Sequence, residues 1–215
     1  MSPADGARVE RLGHGLDALY PDPRCALDFE NPWQLLVATV LSAQARDERV
    51  NAVTPALFAR FPNAAAAATV EPEAVVPFIR TLGLFNHKAR NLVALARLLV
   101  EKHGGEVPRS LEALVELPGV ARKTAHVVLQ NVWGITEGFV VDTHVARLSV
   151  RLGLVPAALE GRADKIERAL CAVFPQTEWS RRSHQLILHG RAVCDARRPE
   201  CGACALAPDC PSASS

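Results

Sequence analysis

Apolar residues recur along most of the chain with the three-to-four-residue spacing of amphipathic helices. From Lys88 to His103, leucines and alanines fall on one face, and two glycines end the segment. The nearest approach to a strand is the short run Phe139-Val140-Val141. The pattern therefore predicts an all-α fold. The predicted helices cover 8–20, 33–43, 47–60, 64–68, 71–80, 88–103, 111–117, 121–133, 143–152, 160–173 and 178–192.

Polar residues mark where several of these helices begin. Asn31 followed by Pro32 predicts an N-cap with proline in the first helical position. Ser110 and Asp142 are typical N-caps for the segments that follow them. The helix after Pro32 is apolar nearly all round, so we expect it to be buried.

Composition excludes several classes of protein. The 215 residues are 49% apolar and 22% charged, which is ordinary for a globular chain and argues against general disorder. No apolar stretch reaches 18 residues without a charge, and residues 1–10 lack the apolar region of an export signal. We therefore expect a protein of the cytoplasm with no membrane partner. Its six cysteines are then unlikely to form disulfides.

Charge is unevenly distributed although the formal net charge is only +1. Residues 1–30 carry six acids and three bases, whereas residues 179–204 carry five arginines and two acids. The basic segment fits either a solvated surface or a set of phosphate contacts. Only four lysines are present, and solvation is the simple expectation for three of them, Lys88, Lys102 and Lys165.

Four cysteines fall within 17 residues near the end of the sequence, in a segment without apolar periodicity. They are Cys194, Cys201, Cys204 and Cys210, with the spacing C-x6-C-x2-C-x5-C. Four such thiols predict metal ligation, either of zinc or of an iron–sulfur cluster. The single short Cys-x2-Cys pair favours the cluster. Cys25 and Cys171 lie in apolar segments and are expected to pack in the core.

The segment from Leu117 to Ala125 predicts two helices joined by a tight turn at Pro118-Gly119. Such a turn directs backbone N–H groups outward at the start of the next helix, where an anion can bind. Lys123 lies in that first helical turn, where the helix dipole favours the neutral amine over the ammonium ion. It is therefore either a nucleophile or a simple phosphate contact. Asp142 is an N-cap that could also accept a proton or stabilise a cation.

Several motifs together make the chain similar to the endonuclease III family of helix–hairpin–helix DNA glycosylases. They are Leu41-Ser42-Ala43-Gln44, Gly83-Leu84-Phe85-Asn86, Leu117 to Ala125, Val141-Asp142-Thr143-His144, Leu188-His189-Gly190-Arg191 and the four-cysteine spacing. The resemblance extends from about Asn31 to Cys210. It implies two all-α domains: a six-helix barrel at 25–136, and a discontinuous domain at 1–24 and 137–215 that carries a [4Fe-4S] cluster in its 194–210 loop.

The resemblance also implies the chemistry. Lys123 matches the family nucleophile and Asp142 the essential aspartate of a bifunctional glycosylase and AP lyase. The substrate would be duplex DNA with oxidised pyrimidines or abasic sites, and the damaged nucleotide would be flipped out of the stack. We expect a monomer associated with the nucleoid. The matching DNA-binding residues are Gln44, Asp47, Leu84, Gly119, Val120, Ala121, His144 and Arg191.

Two positions depart from the family pattern. Ala121 replaces the usual second glycine of the hairpin, and we expect its Cβ either to crowd a bound phosphate or to change the turn. His87 lies where a small or polar residue is common. Three alternatives remain: an adenine-mismatch glycosylase, a zinc-containing DNA-binding module and a non-catalytic paralogue. Lys123 argues against the first, because that branch lacks the hairpin lysine.

Overall fold

The computed structural model describes residues 6–213, and all regular secondary structure in this range is helical. The α-helices in this range are α1 (Gly6–Leu19), α2 (Pro32–Leu41), α3 (Asp47–Arg60), α4 (Ala64–Ala68), α5 (Val76–Ile79), α6 (Phe85–His103), α7 (Leu111–Val115), α8 (Arg122–Trp133), α9 (Thr143–Arg151), α10 (Ala163–Val173) and α11 (Trp179–Ala192). No helix within 6–213 is long and apolar enough to cross a membrane.

The predicted N-caps are confirmed. The Asn31 side chain accepts a hydrogen bond from the Gln34 amide at 3.0 Å, and Ser110 accepts one from the Ala113 amide at 3.2 Å. Each bond satisfies an amide that lacks a partner within its own helix. Helix α2 is buried over most of its length, as its uninterrupted apolar sequence predicts.

The single helix predicted over 71–80 is wrong. The segment forms a 3-10 turn (Pro72–Ala74) followed by the four-residue helix α5. Proline lacks an N–H and fits best in the first turn of a helix, and Pro72 and Pro77 each lie at the start of a separate short piece. Helix α10 also begins later than predicted, because Gly161 adopts a positive φ of 76° just before it.

The chain divides into two compact units. The inserted unit is Cys25–Ile135, and the discontinuous unit joins Met1–Arg24 to Thr136–Ser215. In the inserted unit the buried face of α2, including Leu35 and Leu36, packs in a core with α6 and α8. The discontinuous unit has a smaller core, to which α1 and α9–α11 contribute.

Candidate functional site

The hairpin between α7 and α8 is a tight turn that only glycine can complete. The Val120 amide donates to the Leu117 carbonyl at 3.0 Å, and Gly119 has a φ of +79°. Pro118 and Gly119 thus occupy the central positions of a type II turn. A Cβ on residue 119 would also lie 2.8 Å from the Nδ2 atom of Asn91. Both conformation and space therefore require glycine.

Ala121, by contrast, lies where any residue fits. It is the N-cap of α8, with extended backbone (φ −85°, ψ 166°) and an exposed side chain. The extra Cβ therefore leaves the turn unchanged. The methyl side chain of Ala121 makes no capping hydrogen bond. Lys123 is the second residue of this helix and is exposed.

Two other loops of the inserted unit hold strained residues. Gln44 and Leu84 have φ values of 55° and 58° and are the non-glycine residues with positive φ within 6–213. The left-handed conformation costs a non-glycine residue roughly 1–2 kcal/mol, and such strain concentrates at functional sites. Leu84 is also 59% exposed, unusual for a large apolar side chain. Gln44 lines a cavity with Leu82 and Gly83.

Arg46 and Arg49 line the same cavity and were not singled out by sequence reasoning. Both are exposed, and within 6–213 neither takes part in an ion pair. Their spacing of three residues, directly after Gln44, is the signal that could have identified them, because it places them on one face at the start of α3. Asp47 is the first residue of that helix.

In the discontinuous unit, Asp142 is fixed at the N-terminus of α9. One carboxylate oxygen, Oδ1, accepts from the amides of His144 and Val145, both at 2.8 Å. The predicted N-cap is therefore confirmed. His144 lies in the first turn of α9, and the exposed Arg191 lies in the last turn of α11.

The four clustered cysteines line a single cavity in the discontinuous unit. Burial raises the pKa of the Cys210 thiol, and the charges of the other three cysteines raise it further. Cys25 and Cys171 pack against the two apolar cores, as predicted.

Nitrogen atoms approach two of these sulfurs. Arg151 donates to the Cys194 Sγ atom at 3.3 Å, and the Nε2 atom of His189 lies 3.4 Å from the Cys204 Sγ atom. Arg151 also donates to the carbonyls of Asp195 and Ala196, each at 2.7 Å. These bonds hold the start of the 194–210 loop against α9. Within 6–213, no three His, Cys, Asp or Glu side chains are arranged to hold one metal ion.

Comparison with known proteins relates this geometry to a family. Residues 37–176 match the family model described as "HhH-GPD superfamily base excision DNA repair protein". The chain is also 53% identical over 198 residues to endonuclease III of Synechocystis sp., covering 92% of this chain and 89% of that protein. The chain belongs to the endonuclease III family. Endonuclease III of Escherichia coli is 42% identical over 184 residues, covering 86% of this chain and 85% of that protein.

Solved structures of the endonuclease III family agree. A trapped endonuclease III–DNA covalent intermediate, described as an estranged-adenine complex, superposes with a TM-score of 0.91 at 37% identity and covers 97% of both chains. The all-α helix–hairpin–helix fold and the family predicted from the motifs are therefore confirmed. Membership of the endonuclease III family makes the protein a DNA glycosylase and AP lyase of base excision repair.

One expectation about the lysines is wrong. Lys88 is only 3% exposed, and its Nζ atom has no hydrogen-bond partner among residues 6–213. Burial lowers the pKa of this amine below its usual value. Position 88 belongs to the buried face of α6, so the Lys88 side chain lies against the core. Lys102 is exposed and contacts Glu116 at 3.3 Å. Of the lysines, Lys123 combines exposure with a position at the hairpin.

Proposed function

We propose that this protein removes oxidised or ring-saturated pyrimidines from duplex DNA and cleaves the strand 3′ to the resulting site through Lys123. The observation that carries the proposal is the hairpin, in which an exposed lysine follows a turn that requires Gly119. Backbone amides at the N-terminus of α8 can bind a DNA phosphate, which would bring the amine beside the sugar.

The proposed reaction has two stages. The neutral amine of Lys123 attacks C1′, the C1′–N bond breaks, and the base leaves with a proton. After the sugar ring opens, the nitrogen and C1′ form a protonated Schiff base. A proton is then removed from C2′ and the C3′–O bond breaks, which releases the 3′ phosphate. Water finally hydrolyses the Schiff base and regenerates the amine.

Asp142 is proposed to accept the proton from the Lys123 ammonium and to stabilise positive charge on the sugar. Its capping role is compatible with this proposal. The two amide hydrogen bonds both go to Oδ1, and within residues 6–213 nothing donates to Oδ2. The N-cap bonds therefore orient the carboxylate through Oδ1 and leave Oδ2 to accept the proton.

The remaining family positions are proposed to contact DNA. Leu84 and Gln44 would enter the duplex, and the exposure of the apolar Leu84 side chain supports this because stacking against bases would remove it from water. The amides at Gly119, Val120 and Ala121 would hold a phosphate, with Asp47, His144 and Arg191 as further contacts. Arg46 and Arg49 would add charge beside Gln44.

We also propose that Cys194, Cys201, Cys204 and Cys210 hold a [4Fe-4S] cluster. The four cysteines line one cavity, and their spacing with a single short Cys-x2-Cys pair supports this proposal. The cluster would supply a rigid cross-link to the loop. Asp195 accepts from the amides of Arg197 and Arg198, so this loop presents two exposed arginines for phosphate contacts.

Reductive trapping tests the nucleophile. The protein is incubated with thymine-glycol duplex and borohydride, which converts the Schiff base into a stable adduct. Wild-type protein and Lys102→Gln, a control at an exposed lysine, should form the adduct. Lys123→Gln should bind the duplex and form none. An adduct with Lys123→Gln would overturn the assignment.

The metal content of the purified protein tests the cluster. A [4Fe-4S] protein absorbs in the violet and contains iron and sulfide in equal amounts. A colourless protein that contains zinc would contradict the proposal.

A further inference from the structure

Arg147 joins three parts of the discontinuous unit. It lies on α9, one helical turn after His144. Its Nη2 atom lies 2.9 Å from the Gly190 carbonyl, 2.9 Å from the Cys194 carbonyl and 3.2 Å from the Nδ1 atom of His144. Its Nε atom lies 3.3 Å from the same Cys194 carbonyl. One half-buried guanidinium thus connects the first turn of α9, the end of α11 and the first clustered cysteine.

The packing around this guanidinium is tight. A Cβ on Gly190 would lie 2.9 Å from the Cβ atom of His144, 3.0 Å from its Nδ1 atom and 3.2 Å from the Nη2 atom of Arg147. Only a residue without a side chain lets α11 pass this close to α9. The His144 ring and the Arg147 guanidinium therefore have little room for another arrangement.

The hydrogen bond to His144 fixes the position of a proton. A guanidinium has five N–H donors and no acceptor, and it stays charged at all relevant pH values. The Nη2 atom has two N–H groups for its three neighbours, so one N–H is shared between two acceptors. Because the guanidinium cannot accept, Nδ1 of His144 is the acceptor in this contact. A neutral imidazole that accepts at Nδ1 carries its proton on Nε2, so the opposite edge of the ring is a hydrogen-bond donor.

We propose that Arg147 is a positioning residue that holds His144 in the Nε2–H form, oriented as a donor to a DNA phosphate. This inference rests on the proposed function, in which His144 contacts DNA. The same turn carries the carboxylate of Asp142, which accepts from the His144 amide at 2.8 Å. The Cys194 carbonyl accepts twice from Arg147, so the order of the cysteine loop is coupled to the donor on His144.

A purely structural role makes a different prediction. The carbonyls of Gly190 and Cys194 lie at the C-terminal end of α11, where a cation stabilises a helix. If this were the whole role of Arg147, its loss would lower stability and leave the tautomer of His144 unchanged. The tautomer of His144 is therefore the readout that separates the two roles.

The first experiment is long-range ¹H–¹⁵N NMR of histidine-labelled holoprotein, with the His144 signals assigned by their loss in His144→Ala. Wild-type protein should show the Nε2–H tautomer, and Arg147→Met should show a mixture of both. Arg147→Lys retains a cation for the carbonyls and serves if Arg147→Met does not fold. Its single ammonium group should also fail to hold the ring. An unchanged tautomer in the variants would overturn the proposal.

The second experiment is a double-mutant cycle on binding to duplex that contains a tetrahydrofuran abasic-site analogue, which cannot form a Schiff base. Loss of one phosphate hydrogen bond should weaken binding about tenfold in Arg147→Met. The same substitution in a His144→Ala background should have no further effect. Equal losses in both backgrounds would show that Arg147 does not act through His144.

The inference about Arg147 and the proposed function can fail independently of each other. If wild-type protein is trapped by borohydride but the tautomer and the cycle show no coupling, only the inference about Arg147 fails. If trapping fails while the tautomer responds to Arg147, the proposed chemistry at Lys123 fails and the positioning of His144 stands.

Discussion

The two units are held together in different ways. The inserted unit surrounds α2 with apolar side chains, and Arg97 donates to the carbonyls of Ala68 and Val70 at 3.2 and 2.9 Å. The discontinuous unit has a smaller apolar core and several arginines that bond distant carbonyls. Arg8 donates to the Leu152 and Gly153 carbonyls at 2.6 and 2.9 Å, and Arg151 and Arg182 make comparable bonds.

Some of the carbonyls that arginines of this unit bond, such as Leu152 with Arg8 and Gly190 with Arg147, lie at helix ends. Leu152 is the C-cap of α9, and Gly190 lies in the last turn of α11. A guanidinium there satisfies carbonyls that have no partner within the helix and interacts favourably with the helix dipole. The discontinuous unit therefore depends on charge and on its cysteine loop, whereas the inserted unit depends on apolar packing and carries its functional residues on turns.

Loss of a cysteine should affect the two units unequally. Cys201→Ser should abolish the violet absorption and lower the stability of the discontinuous unit by several kcal/mol, because metal-centre binding is coupled to folding. Hydrogen exchange measures the difference. Amides of α9 and α11 should lose protection, whereas amides of α2 should keep theirs.

Cys171→Ser is the matched control, because Cys171 packs against the core of the same unit outside the cysteine loop. It should retain the colour. Equal loss of protection in both units of Cys201→Ser would show that the stability of the inserted unit depends on the clustered cysteines as much as that of the discontinuous unit does.

The hairpin of the inserted unit should be sensitive to one methyl group. Gly119→Ala places a Cβ at positive φ and 2.8 Å from Asn91, so we expect a destabilisation of roughly 1–2 kcal/mol from the backbone alone. Binding to abasic-site duplex should weaken about tenfold as the turn shifts. Urea unfolding and a binding titration measure the two effects.

Ala121→Gly is the matched control for Gly119→Ala, because it changes a residue of the same hairpin whose backbone does not require glycine. Ala121 has a φ of −85°, so glycine there only adds freedom to the unfolded chain, at a cost of about 0.4–1 kcal/mol. DNA binding should be retained. A large loss of binding in Ala121→Gly, or none in Gly119→Ala, would show that the turn geometry is not what holds the phosphate.

Apolar periodicity predicted the helices of both units because it depends on near neighbours in the chain. The N-caps at Asn31, Ser110 and Asp142 were predictable for the same reason. Motifs located the hairpin and the cysteine loop. The broken segment at 71–80 was missed because each proline is compatible with a helix start, and the sequence does not show that two starts occur in succession.

Features that depend on distant residues were not predictable. Arg182 was counted in a basic segment, but it is buried and donates to the Gly13 carbonyl, 169 residues away. Lys88 was expected to be solvated and is buried instead. The positive φ values of Gln44 and Leu84 oppose local preference and exist only because the surrounding fold imposes them.

The smallest effect concerns Asp17, which links α1 to α11. Its carboxylate receives a bidentate pair from Arg182, at 2.7 and 3.0 Å, and a contact from Arg181 at 2.9 Å. Burial alone would raise the pKa of Asp17, but hydrogen bonds from Arg182 and Gln185 and the nearby charges lower it to about 2. The side chain is 32% exposed, so solvent screening limits its contribution to about 1 kcal/mol.

The pH dependence of this contribution has a definite sign. The pKa is lower in the folded state than in the unfolded state, so the stabilisation is complete above about pH 5. It should decline as the pH falls below about 4 and vanish only below about 2, where the folded carboxylate is protonated as well. Urea unfolding of wild type and Asp17→Asn should differ by about 1 kcal/mol at pH 7 and by less at pH 3. Asp164→Asn, at an exposed carboxylate 3.9 Å from Arg168, should match wild type at both pH values. A difference for Asp17→Asn that grew as the pH fell would contradict the role of its charge in joining α1 to α11.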